Sequence, residues 1–239
     1  MEINLNKFDI TSIKQSSIVL CIGRRETGKT TLNRDILYHY KNNFVNAVKV
    51  SYIDSKNSKN NDDIVSNEKI YEEYDPEIIS DFLSEQKKII HSKTDNWNSL
   101  LLLDDCFYDI LWCKDRNIRQ IIMNGKLFRV MMIMNLQYPM KIPADYKVNI
   151  DYIFIFRDGL INNRKKIFEQ YLEDYMTLEE FFFCMDKYTY DYKNDYVCLV
   201  INNNAKTNKI EDILFWYKAE PHPNFKVVND VLMEEITSN

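Results

Sequence analysis

Short, continuous apolar runs recur along this chain, and each is bounded by polar or glycine-containing sequence. Runs of this length without alternation are typical of strands that are buried on both faces of a sheet. The clearest run comprises residues 99–103, where four leucines follow a serine and precede two aspartates. Strands are predicted in this way at 17–22, 47–53, 99–103, 129–136 and 152–156, with two more at 197–201 and 213–217.

Segments with helical spacing separate these runs. After the first strand, Leu32, Ile36 and Tyr40 fall on one face of a predicted helix. Pro76 suits the start of another helix, because proline is favoured at the first helical position. The alternation of strands and helices predicts an α/β fold, in which helices cover both faces of a parallel or mixed sheet. Helices are expected at 29–41, 76–90, 115–124, 163–173 and 177–187.

Nothing along the chain marks a domain boundary. The polar segment 54–67 is rich in Asn, Ser and Lys and has no periodicity, so a mobile loop is predicted there. A length of 239 residues is ordinary for a single α/β domain. We therefore expect one domain over 1–239, with its core at about 15–160 and additional helices and strands of the same domain at 161–239.

Composition excludes several classes of protein. No run of 18 apolar residues exists and the N-terminus does not resemble a secretory signal, so we expect no transmembrane segment and a cytosol-like compartment. The five cysteines form no C-x-x-C pair and lie far from the three histidines, which argues against a zinc site. A net charge of −5 argues against a protein that coats nucleic acid, although local basic contacts remain possible.

The junction between the first strand and the first helix carries GRRETGKT (23–30), which fits the pattern G-x-x-x-x-G-K-[ST]. Its glycines allow backbone N–H groups to point into one concavity, and the helix N-terminus favours an anion there. Lys29 is predicted to reach the β- and γ-phosphates of ATP, and Thr30 to bind Mg²⁺. A chance match in a turn is disfavoured, because two of only four glycines occur here. The predicted ATP-binding residues are Gly23, Arg24, Arg25, Glu26, Thr27, Gly28, Lys29, Thr30 and Thr31.

Polar side chains follow two of the predicted strands. Asp104, at the end of the leucine run, is predicted to hold Mg²⁺ directly or through a water molecule, and Asp105 to activate the attacking water as a general base. Gln137 ends the strand 129–136, and its amide can both donate to phosphate and accept from water. The alternative for all three is a polar turn at a strand end. Together with the phosphate loop, they predict a P-loop nucleoside triphosphatase with Lys29, Asp105 and Gln137 as catalytic residues.

Five motifs in order resemble the genome-packaging ATPases of large DNA viruses and virophages, which belong to the FtsK–HerA superfamily and include the poxvirus packaging ATPase. They are GRRETGKT (23–30), LLLLDDC (100–106), NGK (124–126), NLQYP (135–139) and NIDYIFIFRD (149–158), and the resemblance covers about 15–160. It implies a RecA-like fold of the ASCE class and an ATP hydrolase that forms a homo-oligomeric ring, a pentamer or hexamer. The implied function is translocation of double-stranded DNA into a preformed capsid.

The resemblance also implies partners and locations. The ring is expected to contact a capsid or vertex protein, and to act in the host cytoplasm, in the virus factory, and in the virion. Roles transfer where the motifs coincide. These positions are Lys29, Thr30, Asp104, Asp105 and Gln137.

The chain departs from the family pattern at two basic positions. Arg-His commonly follows the Asn-Gly pair, whereas this chain has Lys126 and Leu127, and Lys147 stands nearest to a second expected arginine. Lysine keeps the charge but lacks the planar fork of arginine. The position of an arginine finger, a cation supplied to a neighbouring subunit, therefore stays open. Arg119 is the first choice as a catalytic finger, with Arg116, Arg129 and Arg157 as alternatives, and the candidates for DNA contact are Lys126, Lys147, Arg164, Lys165 and Lys166.

Two other functions also use a phosphate loop. A nucleotide or nucleoside kinase is disfavoured, because no arginine-rich lid follows the acidic pair and a water-activating Asp105 suits hydrolysis. An ATP-binding assembly scaffold differs from a motor only in its lack of hydrolysis. Measurement of phosphate release with and without duplex DNA separates these alternatives.

Overall fold

The computed structural model of the protein describes residues 3–51, 64–65, 69–92, 97–107, 110–190 and 196–228. Within these ranges, eight strands form one sheet and seven α-helices lie against it. The strands are β1 (Ile18–Ile22), β2 (Asn46–Ser51), β3 (Ile70–Tyr71), β4 (Ser99–Asp104), β5 (Val130–Leu136), β6 (Tyr152–Phe156), β7 (Val197–Asn202) and β8 (Leu214–Lys218). The helices are α1 (Lys29–Tyr38), α2 (Pro76–His91), α3 (Arg116–Phe128), α4 (Ala144–Lys147), α5 (Ile161–Tyr171), α6 (Leu178–Thr189) and α7 (Ile210–Ile213).

The strand order is β3-β2-β4-β5-β1-β6-β7-β8. The six strands from β3 to β6 in this order are parallel, whereas β7 and β8 are added antiparallel at one side. β1 therefore lies inside the sheet, between β5 and β6. Because the carboxyl ends of parallel strands meet at one edge, the residues that follow β1, β4 and β5 are brought together there.

Two hydrophobic cores lie on opposite faces of the sheet. Ile18, Leu20 and Ile22 of β1 belong to the core that also contains buried residues of α2, α3, α5 and α6. Val19 and Cys21 belong to the other core, which is covered by α1. The predicted α/β arrangement with helices on both faces is confirmed, and the fully buried strands explain their continuous apolar sequences.

Most of the predicted loop 54–67 lies outside the described residues, and its predicted mobility stays a prediction. Its two described residues, Ile64 and Val65, are buried. The Ile64 carbonyl accepts a 3.2 Å hydrogen bond from the amide of Val227. These two apolar residues therefore belong to the core covered by α1 rather than to an exposed loop.

The N-terminal segment runs alongside the outer strand β8. The amide of Phe8 donates to the carbonyl of Trp216 at 2.8 Å, and the amide of Trp216 donates to the carbonyl of Asn6 at 3.1 Å. These bonds occupy both backbone groups of Trp216 on that side of the strand. Across the described ranges, every helix is too short or too polar to cross a bilayer.

Candidate nucleotide-binding site

The two glycines of the phosphate loop meet distinct steric demands. A Cβ on Gly23 would lie 2.6 Å from Cβ of Phe156, so only glycine allows β1 to approach β6 this closely. Gly28 is the N-cap of α1 and has a φ of 109°, in the left-handed region that favours glycine. A Cβ there would lie 2.5 Å from the ring of Tyr196. The glycine pattern is thus required by packing around the loop as well as by its turn.

Lys29 begins α1 and is folded back onto the loop. Its side chain is 5% exposed, and its ammonium donates to the carbonyls of Gly23 at 2.7 Å and Arg24 at 3.1 Å. The same nitrogen lies 3.5 Å from Oδ2 of Asp105. Buried charges need compensation of this kind. The lysine is therefore held at the centre of the loop by two carbonyls and one carboxylate.

The two aspartates are held by polar residues at the carboxyl end of β5 and directly after it. Nδ2 of Asn135 donates to Oδ1 of Asp104 at 2.7 Å, and Asn135 is the register partner of Asp104 in the sheet. Nε2 of Gln137 donates to Oδ2 of Asp105 at 3.1 Å. Asp105 has a φ of 51°, which turns the chain sharply after β4. The ends of β4 and β5 thus form one connected polar group.

Burial raises the pKa of Asp105 above its ordinary range. The ammonium of Lys29 opposes this rise in pKa, whereas the negative charge of Asp104 adds to it. Oδ1 of Asp105 is buried and has no hydrogen-bond partner within the described part of the chain. A carboxylate in this environment is a stronger base than an exposed aspartate and retains one oxygen for a ligand.

These elements enclose a cavity of about 750 Å³. A volume of this size accommodates a nucleotide. Seven of the predicted ATP-binding or metal-binding residues and two predicted catalytic side chains contribute to its walls, together with Tyr196. The lining residues are Arg25, Glu26, Gly28, Lys29, Thr30, Thr31, Asp104, Asp105, Gln137 and Tyr196.

Three predicted ATP-binding residues lie outside the cavity wall: Gly23, Arg24 and Thr27. They shape the loop instead. The hydroxyl of Thr27 donates to the carbonyl of Arg24 at 2.8 Å, and the same carbonyl accepts from Lys29. The backbone of Arg24 therefore supports the loop, while its side chain is exposed.

The oxygen donors of this cavity suit a magnesium ion. Mg²⁺ is bound by one or two protein oxygens together with substrate phosphates and water. The hydroxyl of Thr30 and the carboxylate of Asp104 both line the cavity, and Asn135 fixes one oxygen of Asp104. These two residues would hold the ion, as the sequence predicts.

Arg119, the first choice as a finger, lies on α3 and outside the cavity. Its side chain is 60% exposed and forms a 3.0 Å ion pair with Asp145. Arg129 follows α3 at the opposite edge of the sheet, where its guanidinium lies 4.0 Å from the Trp97 ring. Arg157 follows β6 and lies over Tyr190. The structure thus places none of these three arginines in the cavity.

The predicted DNA-contacting residues lie in different settings. Lys126 forms a 2.9 Å ion pair with the buried Asp151, whose other oxygen accepts from the amide of Ile18. Lys147 donates to the carbonyl of Gln170 at 3.3 Å. The remaining three candidates are consecutive on α5. Arg164 pairs with Asp186 at 2.7 Å, whereas Lys165 and Lys166 are exposed.

Sequence reasoning missed two residues of the site. Asn135 has a local signal, because it is a fully buried polar residue inside the apolar run of β5. Tyr196 has no comparable signal. Its ring contacts Gly28, which is far away in the sequence, and its φ of 78° reflects a tight approach that only the folded chain reveals.

Relatives of this chain occur in viruses. The chain is 32% identical to the uncharacterized protein 075L of Invertebrate iridescent virus 6, over 90% of this chain and 81% of that protein. It is 28% identical to an uncharacterized protein of Acanthamoeba polyphaga mimivirus, over 90% of this chain and 79% of the other. No protein-family profile matches the chain.

Among solved structures, the chain is similar to the genome packaging NTPase B204 of Sulfolobus turreted icosahedral virus 2, determined in complex with AMPPCP. The TM-score is 0.57 at 16% identity, over 88% of this chain and 100% of that one. The likeness establishes the fold as the α/β, RecA-like fold of P-loop nucleoside triphosphatases, as the sequence predicts.

Proposed function

The chain belongs to the family of viral proteins that includes protein 075L of Invertebrate iridescent virus 6, and we propose that it is a viral Mg²⁺-dependent ATPase. We further propose that it moves double-stranded DNA into a preformed capsid. The observation that carries the ATPase is the cavity in which Lys29, Asp104 and Asp105 converge at the end of a phosphate loop. The motor function is supported by the similarity in fold to B204, which is a genome packaging NTPase.

Each residue of the cavity has a defined task in hydrolysis. Lys29 exchanges the carbonyls of Gly23 and Arg24 for the phosphates, which are stronger acceptors because they are charged. Thr30 and Asp104 would hold Mg²⁺, which would supply positive charge against the phosphates. Asp105 takes the proton of the attacking water.

Gln137 positions that water. Its amide nitrogen donates to Asp105 at 3.1 Å, which leaves the amide oxygen as an acceptor for a water proton. A water held between Gln137 and Asp105 would therefore lie at the end of β5, on the phosphate side of the cavity. The raised pKa of Asp105 favours proton transfer, since a stronger base accepts a proton more readily.

The motor assembles as a homo-oligomeric ring of five or six subunits, in which Arg119 reaches the ATP of a neighbour. Its exposure and its position outside its own cavity support this role. The ion pair with Asp145 is partly exposed and thus weak enough to be exchanged for a phosphate. Fingers of this kind accelerate hydrolysis by about 10³–10⁵ in other systems.

A packaging motor must grip the DNA backbone, because it has to accept any sequence. With a net charge of −5, the whole surface cannot attract DNA, so basic side chains must be gathered locally. Lys165 and Lys166, exposed on α5, are the best placed of the candidates. The ring would dock on a capsid or vertex protein, in the virus factory of the host cytoplasm and in the virion.

The test is phosphate release by the assembled protein with Mg²⁺-ATP, alone and with long duplexes of two unrelated sequences. We expect similar stimulation by both duplexes and its loss as salt is raised, because binding to phosphates releases counterions. Without hydrolysis under any condition, an ATP-binding scaffold is the better account. Transfer of phosphate to a nucleoside or nucleotide would indicate a kinase.

A matched pair of double variants tests whether α5 contacts DNA. Lys165→Glu with Lys166→Glu should abolish stimulation by DNA and leave the rate without DNA intact. The control reverses Lys206 and Lys209, two exposed lysines between β7 and α7, and changes the net charge by the same amount. Equal loss of stimulation in both double variants would point to net charge rather than to a contact of α5.

A further inference from the structure

We propose that Arg25, on the phosphate loop itself, is a catalytic residue that stabilises the transition state of ATP hydrolysis within its own subunit. This inference rests on the proposed ATPase function and adds a second cation to Lys29. It also divides the work between subunits. Arg25 would support hydrolysis in each subunit, while Arg119 would make it depend on the ring.

The first observation is position. The chain has eight arginines, all within the described ranges, and Arg25 is the one that lines the cavity. Its neighbour Arg24 is on the same loop but does not line the cavity. Of these two adjacent arginines, only Arg25 is positioned to contact a bound nucleotide.

The second observation is availability. Glu26, Asp104 and Asp105 line the same cavity, yet Arg25 forms no ion pair or hydrogen bond within the described part of the chain. Lys29, by contrast, is fully engaged by loop carbonyls and Asp105. Arg25 is therefore the cation of the cavity that can bind an incoming anion without first breaking a contact.

The third observation is the conformation of the loop around it. Glu26 and Gly28 both have left-handed backbones, with φ values of 63° and 109°. The carbonyl of Arg24 is bound by both Thr27 and Lys29. These contacts hold the backbone on both sides of Arg25, so its Cα is anchored at the edge of the cavity. From this anchor the guanidinium can reach a bound phosphate by side-chain rotation alone, so little reorganisation of the backbone is needed during the reaction.

The chemistry requires such a donor. The oxygen of water bonds to the γ-phosphorus while the bond from that phosphorus to the bridging oxygen of ADP breaks. The proton of the water goes to Asp105, and the bridging electron pair stays with ADP. Negative charge spreads over the γ-oxygens and the bridging oxygen in this transition state, and the planar fork of arginine can donate to two of these oxygens at once.

The test compares Arg25→Ala, Arg25→Lys and the matched variant Arg24→Ala. For Arg25→Ala we expect kcat to fall by about 10²–10³, the loss measured when one transition-state donor is removed elsewhere. Binding of ATPγS should change only several-fold, whereas ADP with aluminium fluoride, which imitates the transition state, should bind far more weakly. Arg25→Lys should recover part of the rate, and Arg24→Ala should lose much less than Arg25→Ala.

Subunit mixing separates the two arginines. In rings that contain Arg25→Ala and Lys29→Ala subunits, every subunit lacks an essential group of its own, so activity should stay low. Rings of Arg119→Ala and Lys29→Ala subunits should recover, because the Lys29 variant still offers its Arg119 to a neighbour. Recovery in the first mixture would refute action within one subunit.

The inference and the proposed function fail differently. A parent protein that hydrolyses ATP while Arg25→Ala has the same kcat and the same affinity for ADP with aluminium fluoride would overturn the inference alone. A parent protein that does not hydrolyse ATP overturns the proposed function and the inference with it. Retained ATPγS binding by Arg25→Ala establishes that the variant is folded.

Discussion

The amide of Asn135 donates a 2.7 Å hydrogen bond to Oδ1 of Asp104, across the register position where β4 and β5 face each other. Asn135 is fully buried in an otherwise apolar strand, where polar groups are costly unless they are paired. Its Nδ2 has this partner, whereas its Oδ1 has none within the described residues. The bond fixes one oxygen of Asp104 and leaves the other for the cavity. Asn135 is therefore a positioning residue for the proposed magnesium site.

The first prediction tests this relationship. Asn135→Leu should raise the Mg²⁺ concentration for half-maximal ATPase activity by about tenfold or more, since partners of metal ligands contribute about 10–100-fold to metal affinity or activity. The measurement is a Mg²⁺ titration at saturating ATP. Met134→Leu, a buried apolar exchange on the same strand, is the control and should leave the titration curve in place. Identical curves for both variants would remove Asn135 from the site.

The second prediction separates nucleotide binding from hydrolysis. Lys29→Ala should lose ATP binding, because the phosphates lose the central cation of the loop. Asp105→Asn should still bind Mg²⁺-ATP, because the amide has nearly the same shape as the carboxylate. Its kcat should fall by about 10²–10⁴-fold, because the amide cannot act as the base. Displacement of a fluorescent nucleotide and phosphate release report the two effects. Hydrolysis by Asp105→Asn at the parental rate would show that another group accepts the proton.

The third prediction concerns stability. Lys126→Ala leaves the buried carboxylate of Asp151 without its cation and should lower the free energy of unfolding by about 1–3 kcal/mol. Urea unfolding at neutral pH measures the loss, and Lys126→Arg should recover most of it. Lys166→Ala, at an exposed position, should stay within about 0.5 kcal/mol of the parent. If Lys126→Ala has the stability of the parent but is no longer stimulated by DNA, Lys126 contacts DNA rather than stabilising the fold.

The fourth prediction concerns the thiols. Burial raises the pKa of Cys106 and Cys113 to about 12 and that of Cys184 to about 11, while buried Cys21 and Cys198 shift in the same direction. Because the thiolate is the reactive form, a raised pKa means less thiolate at pH 8. The folded protein should therefore resist iodoacetamide, and all five cysteines should react in urea, as counted by mass spectrometry.

A control makes this prediction useful. Lys206→Cys introduces a thiol at an exposed position and should react quickly under the same conditions. Rapid labelling of the folded parent would contradict the burial of its thiols. If the prediction holds, single introduced cysteines can report on ring assembly without removal of the native ones.

The long strands were predictable because burial on both faces demands unbroken apolar sequence. β6 begins and ends at the predicted residues, 152 and 156. The predicted end of α3 at 124 is too early, since Gly125 resembles a stop signal. The helix continues to Phe128. A Cβ at Gly125 would lie 3.2 Å from Cδ1 of Ile18, so this glycine serves the close packing of α3 on β1. β3 has two residues and α4 has four, so both are too short to show a periodicity from which they could be predicted.

Contacts between distant segments explain what the sequence could not predict. The motif placed the phosphate loop correctly, but it could not distinguish Arg24 from Arg25, because only the folded loop decides which side chain faces the cavity. Lys126 is exposed, but the sequence could not show that it pairs with a buried carboxylate. Its partner Asp151 precedes another strand, and the pairing depends on how α3, β1 and β6 meet at the amino edge of the sheet.

The hydrogen bonds between the N-terminal segment and Trp216 have a consequence for crowding. An outer strand with unpaired backbone groups is a template on which other chains can add strands and aggregate. At the centre of β8, the amide and carbonyl of Trp216 are already bound by Asn6 and Phe8. Copies that meet at high concentration therefore cannot pair strands through Trp216, and at this point of β8 they can associate only through side chains.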